Sequence, residues 1–363
     1  MNLISTVETK PRYVQLTDSI RAKIQNGEWI EGDRLPSFTE MYREHGTSVA
    51  TMQKAYDQLE KEGFIERRAR SGVYVTNPPS VQTGMLAFVV PEKSGTTYYG
   101  SSSYSMKLLH GAHQEAAARG YQLALCNINQ LSANDFSFSG CIVQGGADLI
   151  KSCARFGKPV ISLINQVNGM PAVGTDDFAG FETITRHLLD LGHRRISIIV
   201  SNEEDHSFPL RLRGYNKAFN ENGFSPDASW QRRLHHHGGE RSYVDYGYLE
   251  MQQWLREGWA ELGCTAIVTQ NDSTAIGVIK ALREQGYHVP HDISITGYDD
   301  SGEDANFDIK LTTIHVPLED IAQKAVHLLD QLLAHRMKNA AKIDLPTHLV
   351  IGDSTTKWEG GNG

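Results

Sequence analysis

Cysteine is scarce in this chain, and its four positions, Cys126, Cys141, Cys153 and Cys264, form no C-x-x-C pair. Each stands in or beside an apolar segment, the setting of a free core thiol rather than of a disulfide framework or a zinc site. Long apolar runs are missing too. The first thirteen residues hold nothing resembling a signal segment, and no later stretch approaches the roughly 18 apolar residues of a membrane span, so a cytoplasmic protein with no membrane partner is expected. Also missing is the positive excess usual in a nucleic-acid binder, since the net charge is -8. Residues 1–80 nonetheless carry 11 Lys and Arg against 11 Asp and Glu, so the acidity lies in the remainder. Contact of the first segment with a polyanion must then depend on local placement of charge, notably Arg67, Arg68 and Arg70. No G-x-G-x-x-G follows a strand-like run, there is no P-loop, and no nucleophile stands with a base, so no catalysis, cofactor or metal is expected. His235, His236 and His237 are adjacent, and on a strand they alternate in direction instead of converging on an ion.

At 363 residues the chain exceeds the size over which one hydrophobic core keeps growing, so two or three folding units are expected. In the first, Pro11 suits the opening turn of a helix, and Leu16, Ile20 and Ile24 recur at fourfold spacing to give a buried stripe that Gly27 ends. Ser37 with Glu40 is a capping box, which predicts a second helix closing near Gly46. Ser48 caps a third, whose apolar face is Val49, Met52, Ala55, Tyr56 and Leu59 and whose stop is Gly63. The other face of that helix carries Ala50, Thr51, Gln53 and Lys54 near its beginning, short or amide side chains suited to base edges. A solvated helix face has the same pattern, so context must decide. Residues 64–67 and 73–76 alternate like the strands of a hairpin whose turn contains Arg70, Ser71 and Gly72, and such a tip can touch phosphate or enter a minor groove. Helices followed by this hairpin make a winged helix-turn-helix, a device that fits a helix into the DNA major groove.

Over nearly its full length this segment resembles the GntR family of bacterial regulators. The matching positions are Tyr13, Gly27, the run Gly32-Asp33-Arg34-Leu35-Pro36-Ser37, Ser48 with Thr51, Ala55 with Leu59, Glu62-Gly63 and the hairpin. The resemblance implies DNA contacts from Arg34, Ser48, Thr51 and Gln53, and from the wing residues Arg70, Ser71 and Gly72. Two positions depart from the family's pattern: Val49 stands where an Arg usually follows the capping Ser, and Gln53 where many members carry a basic residue. Both remove charge from the groove face, so the operators of relatives do not transfer.

Pro78 and Pro79 lie in a polar stretch that favours an extended spacer. This divides the chain into a DNA-binding head at 1–76, a linker at 77–84 and a larger portion at 85–356. There, strand-like runs at 86–90, 123–126, 140–143 and 159–163 accompany a helix at 106–119. A second series follows, with helices at 178–191, 210–221 and 274–285 and strands at 195–200, 265–269 and 293–297. Such alternation predicts an α/β fold of two lobes with parallel sheets, and ligand in the crevice at the carboxyl ends of the strands.

These residues resemble the effector portion of the LacI/GalR family, a relative of type I periplasmic sugar-binding proteins. The motifs are Thr175-Asp176-Asp177, Leu191-Gly192-His193-Arg194-Arg195-Ile196, Arg211-Leu212-Arg213-Gly214-Tyr215, Gln270-Asn271-Asp272-Ser273-Thr274-Ala275, Val289-Pro290-His291-Asp292, Gly297-Tyr298-Asp299-Asp300 and Leu311-Thr312-Thr313. A GntR-type head on a LacI-type sensor is similar in plan to the arabinose repressors of Bacillus-like bacteria. The resemblance implies effector contact from Arg211 and Asp272. Their chemistry suits a sugar, whose hydroxyls both donate and accept and so satisfy a guanidinium and a carboxylate together. Aromatic rings stack on sugar faces, which nominates Tyr98 or Tyr99, Trp230 and Phe307, each of which also reads as a packed or loop aromatic. Asn165 and Asp176 are further polar candidates. His193 reads as a structural hydrogen-bonder, and Asp299 with Asp300 as a strand-end turn. Where many relatives have prolines before Leu-Thr-Thr, this chain has Asp308-Ile309-Lys310.

The expectation is a cytoplasmic, homodimeric regulator that binds double-stranded operator DNA and a sugar effector. A transport receptor for sugars would share the two lobes, but it requires export and has no use for residues 1–76.

Overall fold

Apolar runs separated by amphipathic helices fold here as the alternation demands, in a computed structural model that describes residues 11–25, 28–30, 32–36, 40, 48–68, 71–76, 84–91, 102–132, 137–201, 207–235, 242–334 and 342–360. The expected helix at 37–46, apart from residue 40, and the residues Arg70, Tyr98, Tyr99, His236 and His237 lie outside this set.

In the head, α1 (Arg12–Gln25) and α2 (Val49–Lys61) precede β1 (Ile65–Arg68) and β2 (Gly72–Val75). Leu16 and Ile20 of α1 pack on Met52, Ala55, Tyr56 and Leu59 of α2, and Leu35, Ile65 and Val75 close this small core. The hairpin is antiparallel, with Ile65 opposite Val75 and Arg68 opposite Gly72. Residues before the second helix run alongside β2: the Leu35 amide donates to the Val73 carbonyl at 2.9 Å and the Val75 amide to the Asp33 carbonyl at 2.8 Å. One sequence expectation is corrected. Val49 is not part of the apolar face; it lies a turn before Met52, the first buried member, and stays 60% exposed.

The larger portion runs β3 (Met85–Val90), α3 (Ser103–Ala118), β4 (Gln122–Asn127), α4 (Ile128–Leu131), β5 (Gly140–Gln144), α5 (Ala147–Ala154), β6 (Val160–Leu163) and β7 (Ala172–Thr175), then α6 (Asp177–Asp190), β8 (Ile196–Val200) and α7 (Ser207–Glu221). It continues with β9 (Gln231–Arg233), α8 (Tyr243–Arg256), β10 (Ala266–Thr269), α9 (Asp272–Glu284) and β11 (Ser294–Thr296). The chain then passes through β12 (Thr313–His315), α10 (Leu318–Leu333), β13 (Lys342–Leu345) and β14 (His348–Val350).

Two parallel sheets result, in the orders β13-β7-β6-β5-β3-β4 and β11-β10-β8-β9. Strands covered on both faces need apolar residues throughout, and every residue of β3 from Leu86 on, β6, β8 and β10 is buried. The order reverses direction between β3 and β5 in one sheet and between β8 and β10 in the other. Ligands of such sheets lie at the carboxyl ends beside these reversals.

The lobes also touch directly. Lys107 of α3 donates to the Asp300 carbonyl at 2.9 Å, and the Ser103 amide donates to Glu303 at 3.0 Å. The four cysteines are free and buried.

Candidate functional site

Beyond the strand ends of the second lobe, distant stretches of sequence place charge at one point. Arg211 is on α7, which lies close to α6 because Gly214 has no side chain: a Cβ there would sit 2.2 Å from the Phe178 carbonyl oxygen. Close approach of these helices lets the guanidinium donate to Asp177, at the start of α6, over 3.4 Å. Its other terminal nitrogen donates to the carbonyl of Gln270, the residue after β10, at 3.0 Å. The cation also lies 5.3 Å from the ring centre of Phe181 and 5.2 Å from that of Tyr298, and these rings stack at 5.0 Å. Aromatic faces attract a cation most strongly when water is excluded.

Asp272 opens α9 beside this group. Its amide donates to the Tyr298 carbonyl at 2.9 Å, while its carboxylate accepts from the Thr313 hydroxyl at 2.6 Å and the Ser301 amide at 3.1 Å. Burial pushes its pKa up to about 7; repulsion from Asp304 and Asp300 adds to this, and the two hydrogen bonds oppose it. Burial also raises Asp299 well above the carboxylate range, with Asp272 reinforcing the shift and Arg211 opposing it. Asp299 and Asp300 have φ of 106° and 50°, left-handed backbone that a non-glycine residue occupies at a cost of about 1–3 kcal/mol. The strand-end turn read from sequence is therefore present, and it also brings Asp299 into the charge cluster.

At the end of β6, the Asn165 side chain donates to the Gly145 carbonyl at 3.0 Å, joining the ends of β5 and β6. Of the buried side-chain oxygens that have no hydrogen-bond partner among the described residues, two stand at strand ends: Gln144 Oε1 at the end of β5 and Ser201 Oγ just after β8. Buried polar groups gain from a partner, which a hydroxyl of a ligand or of water can supply. Three further candidates stand elsewhere. Asp176 is exposed and caps α6 by accepting from the Ala179 amide at 3.0 Å. Trp230 packs 6.2 Å from Phe219 just before β9, whose Gln231 pairs with Ile198 in mid-strand, short of the carboxyl ends. Phe307 lies 5.2 Å from the Arg283 guanidinium, and Arg283 is eleven residues along α9 from Asp272, about 16 Å of helix.

Sequence reasoning passed over Asp177, Phe181, Tyr298, Gln144 and Ser201. A signal existed for Asp177, which adjoins the chosen Asp176, and for Gln144 and Ser201, which end apolar strands. His193 holds the chain's end: its ring nitrogens meet the Thr265 hydroxyl at 2.8 Å and the Thr356 carbonyl at 3.1 Å, and burial lowers its pKa to about 4. His235 meets the Glu250 carboxylate at 3.0 Å, and among the described residues no three His, Cys, Asp or Glu side chains group as metal ligands.

The head offers a second surface. Ser48 caps α2, accepting from the Thr51 amide at 3.3 Å with its hydroxyl 2.9 Å from that of Thr51, and Gln53 is exposed beyond them. Arg34 lies across the wing: Gly72, with φ of 127°, has no side chain to block it, and a Cβ there would fall 2.7 Å from Arg34 Nε. Ser71 bonds the Tyr74 hydroxyl at 2.7 Å, and the Arg68 guanidinium lies 4.4 Å from the centre of the Tyr74 ring. The charge expected from Arg67 and Arg68 is partly spent within the head. Arg67 meets Asp57 at 2.6 Å and Glu60 at 3.2 Å, and Arg68 meets Glu66 at 2.5 Å.

Residues 12–75 match the gntR family of bacterial regulatory proteins, and residues 185–355 match the periplasmic binding protein-like domain. The chain is 26% identical over 377 aligned positions to the arabinose metabolism transcriptional repressor of Geobacillus stearothermophilus, covering 96% of this chain and 98% of that protein. It is 28% identical to the transcriptional repressor PurR of Haemophilus influenzae over 69% of this chain and 77% of that one. Among solved structures, a LacI family regulator from Enterococcus faecium with bound ribose superposes with a TM-score of 0.62 at 23% identity, covering 76% of this chain and all of that one. That likeness concerns the fold.

Proposed function

We propose that this chain, which carries a domain of the gntR family of bacterial regulatory proteins at residues 12–75 and a periplasmic-binding-protein-like domain at residues 185–355, is a DNA-binding transcriptional repressor released by a sugar held between its lobes. The observation that carries this reading is the cluster of Arg211, Asp177, Asp272 and Asp299 at the strand ends, with the buried, unsatisfied oxygens of Gln144 and Ser201. Hydroxyl groups donate to carboxylates and accept from guanidinium, so a sugar completes this set. The names of the Geobacillus repressor and of the ribose-bound Enterococcus structure support the same class. Arg211, Asp272, Asn165, Gln144 and Ser201 are the proposed effector contacts, with Tyr99 from the segment after β3. Trp230 and Phe307 serve packing.

At the other end, Arg34, Ser48, Thr51 and Gln53 are the proposed DNA contacts, with Arg70, Ser71 and Gly72 in the wing. The head ends at residue 76, residues 77–84 link it, and the sensor spans 85–356. Two copies acting as a two-fold dimer would match a palindromic operator, so a modest change in head spacing suffices to lose one half-site. A sugar moves that equilibrium only by its differential affinity for the two arrangements, which contacts from both lobes supply. The protein works in the cytoplasm, where the chromosome is, and returns its ligand unchanged instead of transforming it.

The test is a melting-temperature screen of pentoses, hexoses and disaccharides, followed by operator binding with and without the sugar that stabilises. A sugar that raises the melting temperature and weakens DNA binding supports the reading; no stabilising sugar, or turnover of one, rejects it.

A further inference from the structure

Val49 is the most exposed large apolar side chain among the described residues of the head, at 60%. It is the first residue of α2, directly after the capping Ser48. Packing does not account for it, since the buried face of the helix is Met52, Ala55, Tyr56 and Leu59. Helix propensity does not either, because a β-branched residue is a poorer helix former than most. Its exposed neighbours along the same surface are Ala50, Gln53 and Lys54. The hydroxyls of Ser48 and Thr51 face each other at 2.9 Å within the cap, and the exposed Val49 and Ala50 place apolar surface on the opening turn beside them.

The opening residues of a recognition helix are the ones that reach base edges. On those edges the distinctive apolar group is the C5-methyl of thymine. A valine has one stiff side-chain torsion, so holding its methyls against another methyl sacrifices little rotamer freedom. We propose that Val49 is a specificity-determining residue that reads a thymine in each half-site through that methyl group. The inference rests on the DNA-binding reading above and adds the base it selects and the atom it selects by.

The full-length protein can be used to select its operator from a random duplex library, after which each thymine is replaced singly by deoxyuridine, which removes only the methyl. At one symmetry-related position we expect affinity to fall about fourfold per half-site, the worth of one buried methyl group. Val49→Ala should bind the thymine and deoxyuridine forms equally at that position while keeping its preferences elsewhere. A selected operator in which no thymine methyl matters, or a Val49→Ala protein that still discriminates there, overturns the assignment and leaves the DNA-binding reading standing. Failure to select any sequence overturns both.

Discussion

Arg67 in the wing and Arg211 at the strand ends of the second lobe each face carboxylates, yet they sit in different surroundings. Arg67 is 34% exposed, and its partners Asp57 and Glu60 are 52% and 38% exposed. Arg211 and Asp177 are 12% and 8% exposed. An exposed pair contributes about 0–1 kcal/mol and is screened by salt, so water or a phosphate can replace either partner of Arg67 readily. A buried pair has no such substitute, and Arg211 also sits beside Asp299, another carboxyl held away from water. Charge in the head is thus available to an incoming polyanion. Charge at the strand ends of the second lobe is committed to holding carboxyls together.

The largest test of this contrast is Arg211→Ala. It leaves Asp177 buried without that cation and should lower stability by about 3–5 kcal/mol in urea unfolding, while also abolishing any sugar-induced rise in melting temperature. A loss under about 1 kcal/mol would place Arg211 in the same class as the exposed wing pairs.

Next in size is the pH response set by Asp272. Its native pKa, about 7, exceeds the ordinary 3.8, so the folded protein holds a proton that the unfolded chain releases. The stabilisation this gives is complete below about pH 4 and is lost as pH rises through 7, a change of up to about 4 kcal/mol. Unfolding measured from pH 5 to 7.5 should show this decline in the wild type and a shallower one in Asp272→Asn; parallel profiles would mean that Asp272 is solvated. The head carries no such buried carboxylate among its described residues.

Gln53→Ala comes third. It should weaken operator binding by about 1–3 kcal/mol if the amide bridges a base, with the sugar response of the lobes unchanged. An unaltered affinity would return this helix face to solvent.

The contrast also explains what could be read from the sequence. The head's surface is local: Ser48, Thr51 and Gln53 lie within one and a half turns, so spacing alone proposes them, and the misplacement of Val49 arose because periodicity cannot tell a helix's buried length from its protruding turn. In the lobes, alternation of apolar strands with helices stopped by glycine was legible over much of β3 to β11, but α5, β7 and α8 went unread. Short strands such as β9 and β12 carry too few residues to announce a period. The charge cluster at the strand ends was half legible. Arg211 and Asp272 came from motifs, but Asp177 and Asp299 acquire their role by convergence across more than a hundred residues, and only folding places them together. Asp176 and Asp177 are adjacent and chemically identical. One turns outward to cap a helix and the other inward to Arg211, a distinction made by the direction in which α6 leaves β7.

The smallest effect should come from Arg67→Ala, and it sharpens the comparison most. Stability should change by less than about 1 kcal/mol, because Asp57 and Glu60 regain water when the guanidinium goes. If Arg67 trades those carboxylates for a phosphate on binding, the plot of log affinity against log salt should become shallower by about 1. If it keeps them, the slope should not move, and the head would bind mainly through Arg34, the wing tip and base contacts. A titration between 50 and 200 mM salt with wild type and variant separates the two, since a lost phosphate contact changes the slope whereas a merely structural role shifts all points equally. An unchanged slope with a loss of several kcal/mol in stability would place Arg67 beside Arg211 and remove the distinction between available and committed charge.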